Sequence, residues 1–176
     1  MGQNNSLLSG FTNPLPPNNI KEAVAVIDTK YKNHKLTGIV IFKQKANYEV
    51  SIHIEISGLN KNAKHGFHIH ETGDLREGCK SCCAHYNPTN TIHGGISGEG
   101  HAGDLGNIKT DGDGNCNMSI KANRFNIQDI LGRSIIIHED EDDLGRGEFE
   151  DSKTTGHSGA RIACSIIGIS KNGICK

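Results

Sequence analysis

Between residues 47 and 57 the chain reads NYEVSIHIEIS, setting Val50, Ile52, Ile54 and Ile56 against Glu49, Ser51, His53 and Glu55. Side chains alternate faces along a strand, so this period of two predicts one buried face and one wetted face, as in an antiparallel sheet. The same reading predicts strands at 22–29, 36–44, 66–71, 104–110, 115–121, 133–139 and 162–170. Clusters of Gly, Asn and Asp break the chain between most of them. No stretch carries the 3.6-residue period of an amphipathic helix. About eight strands and no helix predict an all-β fold, an eight-stranded antiparallel β-sandwich or flattened barrel. Segments 72–103 and 140–160 fit no strand. Both are too long for passive connections, which predicts two functional loops, each beside histidines.

Composition agrees with short strands: 34% hydrophobic residues, no Trp and 22 glycines. The 176 residues suit one domain with a proper core. The expected organisation is a flexible polar extension at 1–20, a folded domain at 21–170 and a tail at 171–176. A net charge of −1 gives no global reason to bind nucleic acid or an acidic membrane. No apolar run approaches the roughly 18–20 residues that cross a bilayer. The N-terminus MGQNNSLLSGFTNPLPPNN has neither a basic leader nor a long apolar segment, so a cytoplasmic protein is expected. Gly2 and Ser6 fit the short N-myristoylation pattern, although a polar extension ending at Leu15-Pro16-Pro17 is the favoured reading. The six cysteines are Cys79, Cys82, Cys83, Cys116, Cys164 and Cys175. Without export they imply a reducing compartment rather than a dense disulfide framework.

Three local patterns carry no chemistry. DGDGNCN (111–117) opens like a calcium loop but has Cys116 where glycine is needed and Ala122 where glutamate is needed. It reads as a tight Asp-Gly turn. Gly94, Gly95, Gly98 and Gly100 lack the lysine and spacing of a phosphate loop. The sequon Asn117-Met118-Ser119 is silent without export.

The histidines do carry chemistry. HGFHIHETGD (65–74) places His68 and His70 on one face of a strand, with Phe67 and Ile69 on the other. His85, His93 and His101 follow at equal spacing through a glycine-rich loop, and Asp104 comes shortly after. Three imidazoles and one carboxylate form the closed four-coordinate set typical of structural zinc. His68, His70 and the strand-ending His138 form a second imidazole set, suited to a redox metal such as copper. Spacing alone does not say that the two sets meet.

The blocks HGFHIHETGD, GCKSCCAHYNP, HGG, HAGDLGN, HEDEDDLGRG and GARIACSIIGI, in this order, resemble those of the copper/zinc superoxide dismutases. The resemblance runs from about residue 22 to residue 170 and implies a Greek-key, Ig-like sandwich. It implies copper on His68, His70, His85 and His138, and zinc on His85, His93, His101 and Asp104, with His85 bridging the two. The implied reaction turns two superoxide anions into oxygen and hydrogen peroxide through alternate reduction and reoxidation of the histidine-bound copper. His85 would carry a proton and Arg161 would hold the anion. Asp142 would link His68 to His93, His65 would be structural, and Cys79 would pair with Cys164. His34, His53 and His157 take no role.

The chain departs from the family at several points. Cys82 and Cys83 stand where small residues are usual, and Cys79-Lys80-Ser81-Cys82 is formally a C-x-x-C. Thr154 replaces a lysine that helps steer the substrate, while Glu150 and Asp151 keep acidic positions. Ile130-Leu131-Gly132 and Ile167-Gly168-Ile169 resemble dimer-forming segments, so a two-fold homodimer is expected. Arg161 is flanked by Ala160 and Ile162 rather than proline, which implies that a copper chaperone is not obligatory. An active dismutase and a metal-binding relative without turnover are the two readings. The complete copper set and Arg161 favour the enzyme.

Overall fold

The computed structural model describes residues 20–45 and 48–173. Gly2, nearly all of the expected extension, and Cys175 lie outside the described residues. The strands are β1 (Glu22–Tyr31), β2 (His34–Gln44), β3 (Val50–Ser57), β4 (Lys64–His70), β5 (Arg76–Cys79), β6 (Asp104–Lys109), β7 (Cys116–Ala122), β8 (Ser134–His138), β9 (Arg161–Ile166) and β10 (Gly168–Ile169). Two single-turn helices, α1 (Ile127–Ile130) and α2 (Ser152–Thr155), lie in connections. Nine strands form two antiparallel sheets, one ordered β10-β1-β2-β3-β7 and the other β6-β4-β8-β9. The architecture is a sandwich of two open sheets, not a closed barrel.

The alternation of β3 survives in full: Val50, Ile52, Ile54 and Ile56 are buried while the residues between them are not. They meet Phe67 and Ile69 of β4 and Ile135 and Ile137 of β8 in one apolar core. Each such side chain contributes about 1.5–3 kcal/mol on full burial. Phe67 and Ile69 therefore fix which face of β4 turns inward, and His68 and His70 are left with the other. That outer face is buried as well, because the long segment after β4 folds back over it.

Four details correct the sequence-based expectation. The strand expected at 162–170 divides at Ile167, so that β9 joins one sheet and β10 pairs with β1 in the other. A short strand, β5, forms inside the first expected loop. Ile20, assigned to the extension, is buried in the core. Ile130 and Ile167, expected at a dimer surface, are core residues with no exposure, whereas Ile169 is 37% exposed. Among the described residues no helix is long and apolar enough to cross a membrane.

Candidate metal centre

Strand register places the site. β4 lies between β6 and β8, which sets His68 opposite Asp104 on one side and Ile136 on the other. His70 faces Ser134 and forms an isolated bridge with His85. At the end of β8, His138 faces Arg161 of β9, just past a register shift. A second shift falls between Gly66 and His68. Such irregularities re-aim side chains without ending the sheet.

Two side-chain groups result. His68, His70, His85 and His138 each bring one ring nitrogen within 4.8 Å of the others, and all four residues are buried. His85, His93, His101 and Asp104 form a second buried group by the same measure, so His85 belongs to both. The two sets that spacing could not join are one cluster.

The hydrogen bonds show what the first group can do. His68 donates through Nε2 to Asp142 Oδ2 at 2.8 Å. His70 donates through Nδ1 to the Cys83 carbonyl at 3.0 Å, and His138 through Nδ1 to the Gly159 carbonyl at 3.3 Å. Those acceptors fix the tautomer, leaving a lone pair on the opposite nitrogen. His68 Nδ1, His70 Nε2, His85 Nε2 and His138 Nε2 are all buried without a hydrogen-bond partner. Buried polar atoms are rarely left so, and four converging on one point fit a metal of imidazole preference. Burial lowers the pKa of His68 and His70 far below the ordinary value. Burial, followed by the charges of His85 and Arg161, outweighs a bond to Gly159 and brings His138 to about 4. All three are therefore neutral, as ligands must be.

In the second group, Nδ1 of His85, His93 and His101 lies 2.9, 3.0 and 3.2 Å from Asp104 Oδ1. Donors of a tetrahedral zinc with bonds near 2.0–2.1 Å stand roughly 3.3 Å apart, so the set fits. Asp104 Oδ2 accepts from the backbone of Gly94 at 2.9 Å and His101 at 2.8 Å, so the carboxylate also folds the loop. Burial would raise its pKa, but the bonds from His101, His85 and His93 hold it far below the carboxylate range. Burial would likewise lower His93, yet Asp104 and Asp142 raise it to about 9.

Asp142 joins the groups. Its Oδ1 accepts from His93 Nε2 at 2.8 Å while Oδ2 holds His68. Asn107 of β6 grips its backbone twice at 2.8 Å, donating to the Asp142 carbonyl and accepting from its N–H. His65 donates through Nδ1 to the His138 carbonyl at 2.8 Å, a backbone brace rather than a ligand contact. Arg161 donates to the carbonyls of Cys79 at 2.8 Å and Cys83 at 2.5 Å, which fixes a cation beside His70 and His138. Cys79 and Cys164 form a disulfide with Cα atoms 5.6 Å apart, while Cys82, Cys83 and Cys116 are free. His53 and His34 lie away from the groups, and His157 stacks on Phe149 at 3.7 Å between ring centres and bonds Asp151 at 2.7 Å.

Sequence reasoning missed Asn107, the Cys83 carbonyl and Arg124, which bonds the loop near Asp104. Each acts through a fold-dependent contact that leaves no local signature.

A sequence model described as copper/zinc superoxide dismutase matches residues 36–167. A superoxide dismutase [Cu-Zn] of Paramecium bursaria Chlorella virus 1 is 43% identical over 157 residues, covering 87% of this chain and 81% of that protein. Superoxide dismutase [Cu-Zn] 5 of Dictyostelium discoideum is 48% identical over 145 residues, covering 80% and 95%. The crystal structure of the clock protein EA4 superposes with a TM-score of 0.81 at 33% identity, covering 93% of this chain and all of that one.

Proposed function

Because the chain belongs to the copper/zinc superoxide dismutase family, we propose that it disproportionates superoxide where His68, His70, His85 and His138 converge beside Arg161. The four unpartnered buried nitrogens of those histidines carry the reading. They are the copper ligands. His85, His93, His101 and Asp104 are the zinc ligands, and residues 21–170 form the catalytic unit.

Copper, when bound there, supplies the one-electron chemistry that turns two superoxide anions into oxygen and hydrogen peroxide. The protein supplies placement and protons. Arg161, held on two loop carbonyls, offers a rigid cationic fork that orients a small anion. His85 has Nε2 in one group and Nδ1 in the other, so it can release and regain a proton at Nε2 without leaving Asp104. Asp142 keeps the His68 and His93 rings in the orientations the two groups need.

The finer assignments follow the same reading. Of the two segments, Leu131, Gly132, Gly168 and Ile169 belong to a homodimer surface, while Ile130 and Ile167 are committed to the core. Among the described residues, three free cysteines beside one disulfide suit the reducing cytoplasm. With no proline beside Arg161, copper loads without an obligatory chaperone. The deciding experiment counts copper and zinc in the purified protein and then measures superoxide consumption. Rapid consumption is expected, and an inert protein with both sites full would end the proposal.

A further inference from the structure

Four of the seven residues from 94 to 100 are glycines, at 94, 95, 98 and 100, between the histidines at 93 and 101. A segment so poor in side chains packs on the core chiefly through Ile96 and has a large conformational entropy to restrain. Gly94 within it and His101 just past it donate their N–H groups to Asp104 Oδ2, as described. Thr91 Oγ1 adds a local bond to the Gly100 carbonyl at 2.8 Å, and a further tie comes from elsewhere in the chain. Arg124, in the connection between β7 and α1, donates through Nη2 to the carbonyl of Gly95 and, at 3.3 Å, to the carbonyl of Asp104. One guanidinium nitrogen thus ties the start of the glycine-rich segment to Asp104, beyond its far end. The other, Nη1, is buried with no hydrogen-bond partner. It occupies the space beside Gly100, where a β-carbon would stand 2.5 Å from Nη1 and 3.2 Å from Asp104 Oδ2.

We propose that Arg124 is a positioning residue for the zinc ligands: it locks the His93–His101 segment to Asp104, and Gly100 lacks a side chain because the guanidinium fills that place. This rests on the assignment of zinc to His85, His93, His101 and Asp104. Arg124 touches none of the four unpartnered nitrogens of the copper group, so its effect is selective. It lowers the cost of ordering three zinc donors and leaves the strand-borne His68, His70 and His138 unaffected.

The test uses the full chain stripped of metal. Zinc and copper affinities are measured by competition with chelators, and cobalt(II) absorption reports the coordination of the zinc position. Arg124→Met is expected to weaken zinc about 10–100-fold, the range seen when partners that orient ligands are lost. Copper affinity is expected to stay within about twofold, a split that general loosening of the fold would not give. Gly100→Ala is expected to weaken zinc similarly by displacing the guanidinium. In the Arg124→Met background it is expected to add little, because the β-carbon then has room. Unchanged zinc affinity in Arg124→Met, equal losses of both metals, or additive losses in the double variant would overturn the inference. Zinc uptake that survives Asp104→Asn would instead remove the assignment of zinc to this set.

Discussion

Gly156 stands so close to Asp142 that a β-carbon on it would lie 1.9 Å from Asp142 Oδ1 and 2.5 Å from His93 Nε2. It caps α2 with φ +69°, a conformation glycine adopts freely. Gly156→Ala therefore meets two obstacles: about 1–2 kcal/mol of backbone strain and a methyl group driven into the carboxylate that links the groups. Metal-free protein is expected to lose stability by at least that strain in denaturant titration, and both metals are expected to bind more weakly. Unchanged affinity for both would show that Asp142 has another way to reach His68 and His93.

His138 belongs to one group only, whereas His85 belongs to both. His138→Ala is expected to abolish copper retention and turnover while zinc remains near one per chain. His85→Ala is expected to weaken both metals. Elemental analysis of the two proteins separates these patterns, and copper retained at full occupancy in His138→Ala would refute its role as a ligand.

Thr154 is exposed on α2, and the neighbouring Lys153 spends its ammonium on the Gly145 carbonyl. No lysine at 154 compensates for the nearby acids Glu150 and Asp151. Thr154→Lys is expected to raise the rate of superoxide consumption a few-fold at low salt, within the range that charge steering allows. The gain should fade as ionic strength approaches 0.15 M, where screening shortens to about 8 Å. A gain indifferent to salt would assign the effect to loop structure.

Cys83 has φ +62° and ψ −147°, a region that residues with a β-carbon enter only under strain of about 1–3 kcal/mol. The strain is maintained because its carbonyl accepts from both Arg161 and His70. Cys83→Gly is expected to raise the melting temperature by a few degrees and keep activity. Cys83→Ser is expected to do neither harm nor good to stability. Cys83 is also exposed, whereas Cys82 is buried, so exchange with the Cys79–Cys164 bridge is open to Cys83. Mixed disulfides mapped after mild oxidation should involve Cys83 and spare Cys82.

The alternation in β3 was legible because one face of that strand meets the core and the other meets solvent, which is what a period of two encodes. The division at Ile167 was not, because IIGI (166–169) is apolar throughout and a single residue carries the chain from one sheet to the other. The histidines announced a metal site by their number and regular spacing. Their union into one cluster depended on β4 lying between β6 and β8, a long-range pairing no local pattern contains. Within the acidic run 139–143 only the fold distinguishes Asp142, whose backbone is clasped by Asn107. Glu139 and Glu141 by contrast pair with Lys32 and Lys64 at the surface.

The bridge between Cys79 and Cys164 spans 85 positions, and His85, His93, His101, Asp104, His138, Asp142 and Arg161 all fall inside that span. A protease that cuts one peptide bond between them leaves two polypeptides that remain a single molecule. His68 and His70, outside the span, are kept by strand pairing on both sides. Damage to one loop is thus contained: the nicked enzyme migrates as two bands after reduction, yet without reductant it has shed none of its working parts.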